Sequence, residues 1–149
     1  DLTGAELVDF ETVLDSVDSL LIGAELTDET KGMIDRDALE RLPSHAVLVN
    51  PTRGPIVEEN ALVEALEAGE IAGAGLDVFE EEPLSSDSPL LSFENVVVTP
   101  HIAGSSIRAR SSIIETLAGL IDGHFDDETL PRRFLAARPG EICLSRPGE

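Results

Sequence analysis

Apolar and polar positions follow two different periods along this chain, and the switches between them mark its elements. Leu7, Phe10, Val13, Leu14 and Val17 recur at helical spacing among acids, so 7–18 reads as a short helix. Ser19 to Ile22 is a brief apolar strand. The hydroxyl and acid groups of Thr27-Asp28-Glu29-Thr30 can cap free N–H groups and predict a helix start. Asp35 to Leu42 predicts a helix ended by Pro43. Ala46 to Val49 is an apolar strand leading into Asn50. Pro55 to Val57 opens a helix over Glu58 to Ala68, with Ala61, Leu62, Ala65 and Leu66 on one face and Gly69 as its stop. Ile71 to Val78 is a strand rich in glycine and alanine, small enough for a helix or a ligand to approach the backbone. A polar loop, Glu80 to Ser88, separates it from a fourth strand, Asn95 to Thr99. Ser105 to Ile121 reads as a long amphipathic helix with Ile107, Ile113, Ile114, Leu117 and Leu120 turned to a core. From Pro131 the periodicity dissolves into a Pro/Gly/Arg-rich tail.

Strands and helices therefore alternate over short connections, and the strands are nearly all apolar. That pattern predicts an α/β fold, a parallel sheet covered by helices on both faces. No repeat is visible. In such sheets the C-terminal ends of the strands converge on the ligand crevice. Four residues standing at or after strand ends are the candidates. Arg53 offers a planar, always-charged fork that can hold a carboxylate, though a surface arginine among many acids is the plainer reading. Asp77 ends an otherwise apolar strand, where a carboxylate must be hydrogen-bonded or paired; bracing a loop would serve as well as binding. Glu82 lies in a run of three glutamates before Pro83, and position alone does not choose among them. His101 follows Val96-Val97-Val98-Thr99-Pro100 and precedes Ile102-Ala103-Gly104, and its imidazole can act as acid or base near neutral pH. His45 and His124 read as surface residues.

Charge removes several classes of function. Thirty acids against ten bases give a formal net charge of −20, with Lys31 the only lysine and no Trp or Tyr. Such a surface repels phosphate backbones and anionic membranes, so neither nucleic acid nor a membrane is an expected partner. The acids are spread along the chain rather than gathered in one tail, as on a folded surface built for high salt. A halophilic, cytoplasmic protein is the expectation. Cys143 stands alone, which excludes an intrachain disulfide and a cysteine metal cluster, and no His/Asp/Glu spacing points to a metal.

Taken together, four segments resemble the NAD-dependent D-isomer-specific 2-hydroxyacid dehydrogenases, the family of D-3-phosphoglycerate, glycerate/hydroxypyruvate and D-lactate dehydrogenases. They are Leu26-Thr27-x-Glu29-Thr30-x-Gly32, Leu48-Val49-Asn50-x-x-Arg53-Gly54, Gly75-Leu76-Asp77-Val78-Phe79 through Glu82-Pro83, and Pro100-His101-Ile102-Ala103-Gly104. With the acidic surface, the resemblance is to a haloarchaeal type. It implies a Rossmann-like doubly wound parallel sheet, of which 1–123 would be the second half plus a returning helix, with 124–149 a C-terminal segment. It implies a hydride transferred between NAD or NADP and a small 2-hydroxy or 2-keto acid. By the same likeness Arg53 orients the substrate, His101 is the general acid/base, and Glu82, five residues after Asp77, pairs with that histidine. Asp77, Thr52, Arg53 and Gly104 stand where the family holds its cofactor. Glutamate at position 82 favours 2-hydroxyacid chemistry over formate oxidation. Two positions depart from the pattern: Glu25 stands where many relatives have proline, and Pro51-Thr52 is an unusual filling before Arg53. The family's glycine-rich phosphate loop would precede this region, so the chain, which starts at Asp1, is expected to be part of a longer protein that dimerises. A relative that binds the dinucleotide without catalysis, as corepressors do, is the alternative, and a degenerate remnant is a third.

Overall fold

The computed structural model describes residues 6–125. Residues to Ala103 form one compact unit, and those from Gly104 on belong to a second, described here by itself.

The first unit is a four-stranded parallel sheet in the order β1-β2-β3-β4, made of Ser19–Leu21, Val47–Asn50, Gly73–Leu76 and Val96–Val98. Helices α1 (Phe10–Ser16), α2 (Arg36–Arg41) and α3 (Glu59–Ala68) accompany it. The helix ends follow side-chain chemistry. Asp9 caps α1 by accepting from the Thr12 amide, and Asp35 caps α2 by accepting from the Ala38 amide. Gly69 ends α3 in the left-handed conformation, φ 69°.

Strand register divides the sheet into two faces. Leu20, Leu48, Ala74 and Val96 are paired across it, as are Asn50, Leu76 and Val98 one step further on. These rows lie beneath Leu14 of α1, Leu39 of α2 and Leu62 of α3, in one core. Each such leucine contributes about 1.5–3 kcal/mol by leaving water. The alternate row, Leu21, Val49, Gly75 and Val97, points the other way, and Leu21 and Val97 are exposed. Within this unit the helices thus line one face. That follows from successive crossovers in one direction, which set consecutive helices on the same side of a parallel sheet.

Three local expectations change. Thr27–Thr30 does not start a helix. The Thr27 hydroxyl accepts from the Glu29 and Thr30 amides while the Thr30 hydroxyl donates to the Glu25 carbonyl, closing a turn. The segment after Arg53 is a single 3-10 turn, Gly54–Ile56, before α3 begins. At the start of β3 the close approach is made by the backbone leading into β4: a Cβ on Gly73 would stand 2.4 Å from the Asn95 carbonyl oxygen.

In the second unit, helix α4 covers Ile107–Phe125. Ile107, Ile113, Ile114 and Leu117, expected in a core, are exposed. Helical spacing fixes which side chains share a face but not what meets that face. The expected tail from 131 lies outside the described residues. Among the described residues no helix is long and apolar enough to cross a membrane.

Candidate active site

Because all strands run parallel, their C-terminal ends share one edge, and the chain delivers polar residues there from three successive strands. The turn after β2 carries Arg53, the loop after β3 carries Asp77 and Glu82, and the turn after β4 carries His101.

The imidazole and the glutamate meet. His101 Nδ1 lies 2.8 Å from Glu82 Oε2, and the other oxygen, Oε1, accepts from the Phe79 amide at 3.2 Å. The hydrogen bond to His101, and after it the one from the Phe79 amide, hold the Glu82 carboxyl below its ordinary range. Glu82 is therefore ionised at neutral pH and can only accept. Nδ1 must carry the proton in this bond, which leaves Nε2 as the nitrogen available to a reacting molecule. Of the three glutamates in the run, the structure selects Glu82 for the histidine. Glu80 instead joins Glu59: Glu80 Oε1 accepts from the Glu59 amide and Glu59 Oε2 from the Glu80 amide.

Asp77 builds the turn on which His101 stands. Its Oδ1 accepts from the Thr99 hydroxyl at 2.5 Å and the Ile102 amide at 2.9 Å, and Oδ2 accepts from the Ala103 amide at 2.8 Å. The backbone adds His101 N–H to the Asp77 carbonyl at 2.8 Å. His101 has φ 53°, a left-handed conformation that costs a non-glycine residue on the order of 1–3 kcal/mol. Those bonds on both sides of it offset the strain. Burial alone would raise the Asp77 carboxyl, but the Thr99 hydroxyl and the Ala103 and Ile102 amides outweigh it, and the group stays below its ordinary value.

Arg53 comes close by a different route. A Cβ on Gly54 would fall 1.8 Å from the Phe79 carbonyl oxygen, so the turn after β2 rests directly on the backbone after β3. The Arg53 guanidinium is exposed, and its Nη1 donates to the Thr52 carbonyl at 2.7 Å. It makes no bond to Glu82 or His101. A cleft of about 500 Å³ adjoins those two residues, walled by Phe79, Pro83, Leu84, Leu91 and Pro100. Arg53 is not in its lining.

Thr52 donates both its amide and its hydroxyl to the Asn50 side chain, at 3.1 and 3.0 Å. Gly104 opens the second unit, and an added Cβ there would meet nothing within 4 Å. The Glu25 side chain is exposed. Asn50 and Thr99 escaped the sequence reading. A carboxamide closing an apolar strand and a hydroxyl before proline were the available signals, and both look like ordinary turn residues.

The family model for the D-isomer specific 2-hydroxyacid dehydrogenase, NAD binding domain, matches residues 1–103. A glyoxylate reductase from Thermofilum pendens is 41% identical over 140 residues, which cover 91% of this chain and 41% of that relative. Among solved structures, the D-isomer specific 2-hydroxyacid dehydrogenase of Xanthobacter autotrophicus Py2, in complex with NADPH and MES, is 39% identical with a TM-score of 0.70. It is matched over 80% of this chain and 49% of its own. The Lactobacillus delbrueckii ssp. bulgaricus enzyme in its NAD-complexed form is 30% identical with a TM-score of 0.72, over 84% and 41%. The chain spans less than half the length of these relatives. The Rossmann-like parallel sheet read from the sequence is the fold they share.

Proposed function

This chain belongs to the D-isomer specific 2-hydroxyacid dehydrogenase family, and from that membership we propose that the whole protein moves a hydride between NAD or NADP and a small 2-hydroxy or 2-keto acid. A bound nicotinamide supplies the hydride. The remaining work falls to the protein. As the keto carbon takes the hydride, the C=O electron pair moves to oxygen, and His101 Nε2–H donates a proton to that oxygen within hydrogen-bond reach. In oxidation the same nitrogen removes the hydroxyl proton. Glu82 holds the ring through Nδ1 and stabilises the imidazolium. Arg53 pairs with the substrate carboxylate and orients the keto oxygen.

The single observation that carries this reading is the 2.8 Å bond between His101 Nδ1 and Glu82 Oε2, on a turn fixed by Asp77. The donor set also suits the cofactor. The described hydrogen bonds use three of about four acceptor positions on the Asp77 carboxylate, leaving one for a carboxamide N–H. Thr52 keeps its hydroxyl lone pairs. Arg53 completes the residues of the first unit assigned to hold the cofactor. Relatives bound to NADPH and to NAD support keeping both.

The test is turnover of NADH and NADPH with glyoxylate, hydroxypyruvate and pyruvate, by the complete protein and its His101→Ala variant. The variant is expected to lose about 10²–10⁴-fold in kcat. Unchanged turnover would remove His101 from the chemistry.

A further inference from the structure

Asn50 and Asp77 are the buried polar side chains among the described residues, 1% and 6% exposed. Each stands at the end of a strand, and each directs its hydrogen bonds to a turn that carries a site residue. For Asp77 that residue is His101. For Asn50 it is Arg53.

We propose that Asn50 is a positioning residue for Arg53, setting where the guanidinium stands relative to the substrate carboxylate. The inference rests on the function proposed above. Asn50 lies in the end row of the sheet, paired with Leu76 on the helix-covered face. An apolar side chain would bury there at no polar cost, whereas an amide must be bonded. Its bonds serve neither the sheet nor the helices. Oδ1 accepts from the amide and hydroxyl of Thr52, at 3.1 and 3.0 Å, and Nδ2 donates to the Arg53 carbonyl at 2.9 Å. The side chain therefore grips the Pro51–Thr52 peptide and the Thr52 hydroxyl before the arginine, and the Arg53–Gly54 peptide after it. Thr52 in turn supplies the carbonyl that receives Arg53 Nη1. Pro51, between Asn50 and Thr52, has a fixed φ and no amide to give, so the freedom left in the turn lies at the residues Asn50 holds. On the far side Gly54 rests on Phe79. Arg53 is thus pinned from both ends, and the sheet end of the clamp is a carboxamide. Neither aspartate nor serine supplies a donor and an acceptor at that reach, and glutamine is a methylene too long.

The experiment is Asn50→Asp in the complete protein. The change keeps the acceptor for Thr52 and replaces the donor by an oxygen facing the Arg53 carbonyl. Two readouts are taken. In a crystal structure of the variant, residues 51–54 are expected to move while β2 and the His101 turn superpose on the wild type. In kinetics, the KM for the 2-keto acid is expected to rise at least tenfold, with the pH profile of kcat unchanged. A turn that stays in place, or a KM within twofold of wild type, overturns the inference. A loss of folded protein that lowers kcat with KM unmoved overturns it as well, because that is the mark of a merely structural residue. Should the aspartate variant fail to fold, Asn50→Ala, which buries no charge, is subjected to the same two readouts. If the wild type reduces no 2-keto acid, the functional reading falls, and the position of the turn in the variant still decides for or against the clamp.

Discussion

Asp77 concentrates three acceptor bonds on one turn, and the strained conformation of His101 depends on them. In Asp77→Asn an N–H group must face one of those three donors. The variant is expected to lose about 1–3 kcal/mol in urea denaturation and more than tenfold in turnover, as the imidazole leaves Glu82. Acid acts on the same contacts. The carboxyls of Asp77 and Glu82 sit below their ordinary values of 3.8 and 4.5 in the folded protein. Stability from such depressed groups is present above those values and is lost as pH falls through the lower, folded ones. Between about pH 5 and pH 3 the urea midpoint of the wild type should therefore drop more than that of Asp77→Asn. An equal drop in both would show that the carboxylate contributes nothing there. Sequence made part of this legible. A lone acid at the end of an apolar strand has to be satisfied by something, but only coordinates show that a hydroxyl and two amides 22 to 26 residues on do so. Glu82 could not be told from Glu80 and Glu81 by position. The likeness to a family pointed to it, and the loop geometry brings it to the ring.

Among the elements, the contact at Gly54 is the tightest. Its missing side chain lets the turn after β2 lie on the Phe79 carbonyl, 1.8 Å from where a Cβ would be. Gly54→Ala should cost about 3 kcal/mol or more, because backbone rather than a flexible side chain must give way. Gly75→Ala, whose Cβ would meet Val49 at 3.8 Å, should be nearly neutral. Equal melting temperatures for the two variants would refute the contact. The alternation of strand and helix was readable because buried parallel strands are continuous apolar runs and each helix carries its own cap and stop. Expected strands ran one or two residues past the observed C-terminal ends of β1, β3 and β4, since the run that reads as strand continues past the last ladder bond, whereas β2 extends one residue beyond its expected end, to the polar Asn50. The Thr27–Thr30 turn misled because hydroxyls and acids that cap a helix also close a turn on their own.

For the whole molecule the dominant quantity is the net charge of −20. Repulsion among acids opposes the compact state until counterions screen it. The melting temperature is expected to rise from about 0.1 M to about 1 M KCl, as the Debye length shrinks from about 10 Å to about 3 Å. A melting temperature that is flat or falling over that range would end the halophilic reading. The site should respond less, since the His101–Glu82 bond and the Asp77 clamp are contacts of under 3 Å. The backbone contact at Gly54 also limits how the molecule can bend. Main chain lies against main chain there, with no side chain between to act as a spring. Any closing motion must carry the guanidinium-bearing turn and the carboxylate-bearing loop together as a single plate, and no crease can open between them.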